Sequence, residues 1–275
     1  MKLSAPKSLS AAVGVALTLC LPLAAQAGNV FLTGHDPDFH TQSGAGAHLL
    51  DVGIGFVTGN THKDGGATKF LWVESNIPIP GGHLRGHASL SLIGVTAADY
   101  DVVDAVGFAS ANLANYNAIA IASSFGGTLT RAELDALILR SADIAAFING
   151  GGGLFASAEC YPCGANLMAG TTAPDLFGYL PISVTSIGAN PPFAVTAYGA
   201  SLGLTNANMN DPTHNSFGLT GGLNIVDTDA SGNATTLAGN VTLGCGGFCP
   251  VPEPGSLALA GVALLALGAA RRRRA

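Results

Sequence analysis

Short uninterrupted apolar runs alternate with longer stretches in which apolar residues recur three or four positions apart, over residues 29–158. Asn29-Val30-Phe31-Leu32-Thr33 ends at Gly34 and predicts a strand; after a loop, residues 44–58, with Leu49, Val52, Ile54 and Phe56, predict a helix. A second strand is expected over residues 69–74 around Trp72, followed by a Pro- and Gly-rich loop over 75–86. Residues 117–123 form an unbroken run of small apolar side chains, the pattern of a parallel strand covered on both faces. Thr130, with Glu133 three positions on, has the spacing of a capping box. Leu134, Leu137, Ile138, Ile144 and Phe147 continue at helical spacing until Asn149-Gly150 closes the segment. Residues 153–158 are the next strand, and strand, helix and strand with connections this short predict a right-handed crossover in a parallel sheet.

Beyond Leu180 the pattern changes to short β-like runs at 182–187, 193–197, 223–227 and 235–243, with Asp229-Ala230-Ser231-Gly232-Asn233 as a hairpin turn between the last two. No solenoid-type repeat is present. The expected fold is α/β: a three-layer sandwich with a mainly parallel sheet, a β-hairpin region towards its C-terminus, and a short C-terminal transmembrane helix.

Two segments are apolar without amphipathic period. At the start, Lys2 and Lys7 precede an apolar run over 11–25 that ends in Ala25-Gln26-Ala27, the pattern of a secretory signal peptide (residues 1–27) cut by signal peptidase after Ala27. A lipoprotein reading at Cys20 lacks the small residue expected immediately before a lipidated cysteine, since Leu17-Thr18-Leu19 stands there. At the end, Pro252-Glu253-Pro254 leads through Gly255 and Ser256 into an uncharged segment, 257–270, and then Arg271, Arg272, Arg273 and Arg274. As a helix the apolar part is about 21 Å long at 1.5 Å per residue, against a hydrocarbon core of about 30 Å. It is a marginal anchor. The arginines form a membrane stop on the cytoplasmic side, which leaves the body of the chain, residues 28–250, on the outer side of the inner membrane.

Composition suits that placement. Charged residues make up only 10% of the chain and glycine numbers 38, so Ser, Thr, Asn and Gly cover much of the surface. The net charge is −6, and much of the positive charge lies in the two end segments, so nucleic-acid binding is excluded. Four cysteines follow the leader, Cys160 and Cys163 in Cys-Tyr-Pro-Cys and Cys245 and Cys249 in Cys-Gly-Gly-Phe-Cys. In an exported chain an even set reads as two disulfides, with three connectivities open. Four thiolates also have the ligand number of a zinc site, and Cys-x-x-Cys also occurs in redox proteins, but the first suits a different compartment and the second needs a thioredoxin framework.

Pro-Glu-Pro, apolar helix and arginine block, in that order over residues 251–275, resemble the PEP-CTERM sorting signal of exported bacterial proteins. The resemblance implies processing by an exosortase, a membrane cysteine protease, with transient anchoring in the inner membrane. It further implies a final place on the cell surface or in the exopolysaccharide matrix of a biofilm.

Within the body, Thr33-Gly34-His35-Asp36, residues 116–127, residues 143–155 and Thr213-His214-Asn215 resemble the class I glutamine amidotransferase-like fold, in particular its ThuA-like branch. In that superfamily the strand at 153–158 would run into a nucleophile elbow, and a later histidine would serve as base. Here the elbow reads Ser157-Ala158-Glu159-Cys160-Tyr161-Pro162, without the flanking glycines, and Cys163 stands close enough to be the disulfide partner of Cys160 in an oxidising compartment, where an oxidised thiol cannot attack. Glu159, Cys160 and His214 are therefore the catalytic candidates of a site expected to be non-catalytic. His35 and Asp36, with Asp38 and His40 nearby, are the metal candidates, although Pro37 gives the segment the character of a turn. No cofactor is expected. His35, Asp36, Glu159 and His214 are expected to share a pocket at the carboxyl edge of the sheet. The expected function is a scaffold or binding module for exopolysaccharide, with a secreted hydrolase or sugar-modifying enzyme as the alternative.

Overall fold

A computed structural model of the chain describes residues 27–75, 86–124, 128–158, 176–182, 184–186, 191–209 and 215–243. The elements are β1 (Gly28–Thr33), α1 (Ala45–Thr58), β2 (Phe70–Val73), β3 (Tyr100–Val103), α2 (Ala105–Ser110), β4 (Ala118–Ile121), α3 (Arg131–Leu139), α4 (Ser141–Asn149) and β5 (Gly153–Ser157), followed by β6 (Val184–Ser186), β7 (Ala194–Val195), α5 (Ala197–Ser201), β8 (Ser216–Phe217), β9 (Asn224–Thr228) and β10 (Ala234–Val241). Short 3-10 segments lie at His40–Ser43, Gly86–Ile93, Leu113–Asn115 and Asn206–Met209.

One mixed sheet of ten strands runs through the described residues in the order β3-β2-β4-β5-β1-β10-β8-β6, with β9 on β10 and β7 on β9. The first five are parallel. From β10 onward the neighbours are antiparallel. The late strands include the expected hairpin of β9 and β10, and they continue the same sheet because β10 lies along β1, from Gly28 opposite Val241 to Thr33 opposite Thr236.

Because successive strand residues point to opposite faces, the sheet builds two cores. On one face Val30, Leu32, Leu71, Val73, Ile119, Ile121, Leu154 and Ala156 meet Phe108 of α2, Leu134 and Leu137 of α3, and Ile144 and Ile148 of α4. On the other, Phe31, Phe70, Trp72, Ala120 and Phe155 meet Leu49, Leu50, Ile54 and Val57 of α1. This gives helical layers on both sides of the parallel strands. Each of these large side chains contributes about 1.5–3 kcal/mol by leaving water.

Two glycines let α1 lie close. A Cβ on Gly53 would sit 2.6 Å from the Phe155 ring, and one on Gly153 would sit 2.0 Å from the carbonyl oxygen of Val57. The helix ends at Gly59, which takes the left-handed conformation (φ 63°) and returns its N–H to the Gly55 carbonyl.

The capping box at Thr130 and Glu133 is formed. The helix it opens is shorter than the apolar spacing predicts, because the backbone breaks at Arg140 and restarts as α4. The break aims the Arg140 guanidinium at α2, where it donates to the carbonyls of Phe108 (2.6 Å) and Ala111 (3.0 Å) and lies 5.1 Å from the centre of the Phe108 ring. A charged donor thus adds its hydrogen bonds to carbonyls at the end of a short helix.

The expected turn between β9 and β10 is present. The Asp229 carboxylate accepts from the N–H groups of Ser231 (2.8 Å) and Asn233 (2.9 Å), and Gly232 takes φ 84°. Among the described residues no helix is long and apolar enough to cross a membrane. Residues 1–26 of the leader, the apolar segment at 257–270 and Arg271, Arg272, Arg273 and Arg274 lie outside them, as do Pro252, Glu253 and Pro254.

Candidate functional site

The parallel strands end at one edge in polar side chains: Thr33 at the end of β1 and His35 after it, Glu74 after β2, Ser123 after β4 and Ser157 at the end of β5. The order of strands reverses between β2, which leads to β3, and β4, which leads away to β5. In open α/β sheets that reversal, at the carboxyl ends, is where ligands are held.

His35 is at this edge, as expected, but it is only 1% exposed. Its Nε2 lies 3.1 Å from Asp227 Oδ2 of β9, and its ring meets Phe193 edge-on at 4.9 Å between centres. Its Nδ1 has no hydrogen-bond partner among the described residues. Asp36 turns elsewhere, with Oδ1 3.4 Å from His40 Nε2. The two metal candidates thus face different partners, and no group of three or more His, Cys, Asp or Glu able to hold a metal occurs among the described residues.

Asp38 is drawn fully into the body. Its Oδ2 accepts the Ser123 N–H at 3.0 Å and its Oδ1 the Ser157 hydroxyl at 3.2 Å. Burial dominates these donors and pushes its pKa from 3.8 up to about 6. Asn215 reaches the same edge and donates to the Ala158 carbonyl at 2.9 Å. Glu159, Cys160, Cys163, His214, Cys245 and Cys249 lie outside the described residues, so half of the expected four-residue pocket is absent from the description.

A pair that sequence reasoning missed stands at the strand reversal. Glu74 Oε2 accepts the Trp72 indole N–H (2.8 Å) and the His87 backbone N–H (2.7 Å), while its Oε1 is held in a short hydrogen bond by His87 Nδ1. The carboxylate is buried and the imidazole is 43% exposed. Glu74 raises the His87 pKa above its usual 6.5. The geometry also requires Gly86, since a Cβ there would lie 2.0 Å from Glu74 Oε2. A buried carboxylate that fixes Nδ1 and leaves Nε2 outward supplies an oriented donor when the ring is charged and an oriented base when it is neutral. The sequence signal for Glu74 is a carboxylate directly after a buried strand; for His87 there is none.

At the opposite edge a hollow of about 630 Å³ is lined by Tyr116, Asn117, Arg140, Asp143 and Phe147. Its polar groups are largely engaged: Tyr116 donates to Asp101 at 3.1 Å and Arg140 Nε to Asp143 at 2.8 Å.

Residues 250–274 match the family model described as the PEP-CTERM protein-sorting motif. The motif marks the chain as an exosortase substrate, exported and anchored in the membrane before processing. The match lies wholly outside the α/β body. No curated protein and no solved structure matches the chain.

Proposed function

We propose that the processed chain is a cell-surface or extracellular-matrix protein whose α/β body is a non-catalytic binding module for exopolysaccharide. The observation that carries this reading is how the carboxyl-edge groups are engaged with one another: His35 faces Asp227, and Asp38 accepts from Ser123 and Ser157. These pairings make a rigid floor, the property a binding surface needs. Counted from β2, the parallel strands follow a flavodoxin-like order, with β1 in the fifth place; this order supports an amidotransferase-like architecture for the body.

The test is fractionation of exopolysaccharide-producing cells. The wild-type chain should sediment with isolated matrix polysaccharide, and a chain with Pro252, Glu253 and Pro254 all replaced by alanine should stay with the inner membrane. Wild-type chain that remains in the membrane fraction, or that separates from the polysaccharide in low salt, overturns the reading.

The second reading, a secreted hydrolase or sugar-modifying enzyme, is favoured by the Glu74–His87 pair, which has the arrangement of a general base and its orienting carboxylate. New reducing ends released from the matrix polysaccharide by wild-type chain, and not by H87A, would establish it.

A further inference from the structure

We propose that His87, seated on Glu74 at the β2–β4 reversal, is a recognition point for a carboxylated sugar residue of the bound glycan. This assignment rests on the binding-module reading above and names the part of the ligand that the module selects.

Three observations converge on it. The first is position: His87 is the second residue of the 3-10 segment Gly86–Ile93 and is held on Glu74, the residue after β2, beside the strand reversal. Thr128, which follows β4 in the chain, approaches from the other side, where its carbonyl accepts the Ser75 N–H at 2.6 Å. The second is orientation. The backbone N–H on Glu74 Oε2 fixes the main chain at His87, the ring cannot turn without losing its Nδ1 hydrogen bond to the same carboxylate, and Nε2 makes no hydrogen bond to the described residues.

The third is charge. Among the described residues, Glu74 and Tyr100 are the titratable groups against the ring, the Tyr100 ring at 6.3 Å between centres. Burial, and then the Glu74 charge, push the Tyr100 phenol above its usual 10.0, so it stays neutral. Glu74 holds the imidazole in its charged form to higher pH than a free histidine. The outward Nε2–H is then a charged donor, and charged donors bind carboxylates more strongly than they bind neutral hydroxyls. When the ring loses its proton, the remaining one stays on Nδ1 against Glu74. Nε2 then presents a lone pair, which repels a carboxylate. Attraction of a polyanion to this net-negative chain therefore needs a local donor of this kind.

Immobilised polygalacturonate is the probe, with the full chain in detergent as the analyte. Wild-type chain should bind at pH 6, elute with free galacturonate but not with galactose, and weaken at least tenfold as pH rises to 9. H87Q keeps a polar side chain of similar size that can still donate to Glu74 but carries no charge, and should bind at least tenfold more weakly at pH 6 while its cooperative unfolding transition shows it folded. Equal binding by wild type and H87Q, elution by galactose, or no response to pH overturns the assignment. If both chains bind the matrix polysaccharide of the producing cells equally well and neither binds polygalacturonate, the binding module stands and the His87 site falls. If neither binds any glycan, both fall.

Discussion

The Ser157 hydroxyl donates to Asp38 Oδ1 at 3.2 Å and so joins the end of β5 to the turn after β1. Burial raises the Asp38 pKa from 3.8 to about 6, so the folded state holds this proton more tightly than the unfolded chain does. The contribution is fully present below pH 3.8 and is lost as pH rises through 6. The difference corresponds to about 3 kcal/mol. Asn can accept the Ser123 N–H on its carbonyl oxygen and donate its amide to the Ser157 oxygen, without a charge. D38N should therefore gain stability relative to wild type between pH 4 and pH 7, read by urea unfolding at each pH. Parallel stability curves for the two proteins would contradict this.

Glu133 holds two elements at once. Its Oε1 accepts the Ala105 N–H of α2 at 3.0 Å, and its Oε2 accepts the Thr130 N–H at 3.0 Å. T130A removes the cap on the Ala132 N–H and the hydroxyl's hydrogen bond to Glu133 but leaves both backbone donors on Glu133, and should cost about 1 kcal/mol. E133A strands two backbone donors and should cost about 2–4 kcal/mol. Denaturant midpoints measure both, and a larger loss for T130A than for E133A would refute the shared role.

At Gly153 the obstacle to a side chain is backbone, the Val57 carbonyl of α1, so neighbouring rotamers cannot relieve it. G153A should lower stability by about 3 kcal/mol or more. G239A is the control, because its nearest neighbour is a Leu223 methyl at 3.3 Å. It should change stability by no more than about 1 kcal/mol. Equal melting temperatures for the two variants would show that α1 does not need the close approach.

The four cysteines that follow the leader are expected to be oxidised in the exported protein. Alkylation of the processed chain without reductant should add no mass, and after reduction it should label Cys160, Cys163, Cys245 and Cys249. Labelling of Cys160 and Cys163 without reductant would refute the expectation and reopen thiol chemistry at the elbow.

The strands that were legible are those buried on both faces. β1, β4 and β5 carry unbroken apolar runs because neither side of the strand meets water. β3 carried no such signal: it is the outermost strand, its four residues are all half-buried, and Asp101 stands in its middle. The helical period between Leu134 and Phe147 hid the break at Arg140, because both halves present apolar residues to the same core and the guanidinium's partners lie about thirty positions earlier. In the candidate site, His35 was placed at the correct edge by the strand before it. Its partner Asp227 was not found, since a pairing across 192 positions leaves no local pattern. His87 escaped notice for a different reason: its role comes from Glu74, thirteen positions earlier, through a fold contact rather than a periodic one.

The pairing of Gly28 with Val241 has a practical corollary. Residues directly opposite in an antiparallel ladder stand about 5 Å apart, so the chain enters and leaves the sheet at one corner. Asn149 secures that corner by donating to the Leu243 carbonyl at 3.1 Å and accepting its N–H at 2.8 Å. The body is thus a cassette with a single point of attachment. It suits grafting into a surface loop of a carrier protein, or circular permutation with a linker of a few residues across the old ends, and either construction would leave the His87 edge free to face whatever the carrier is meant to hold.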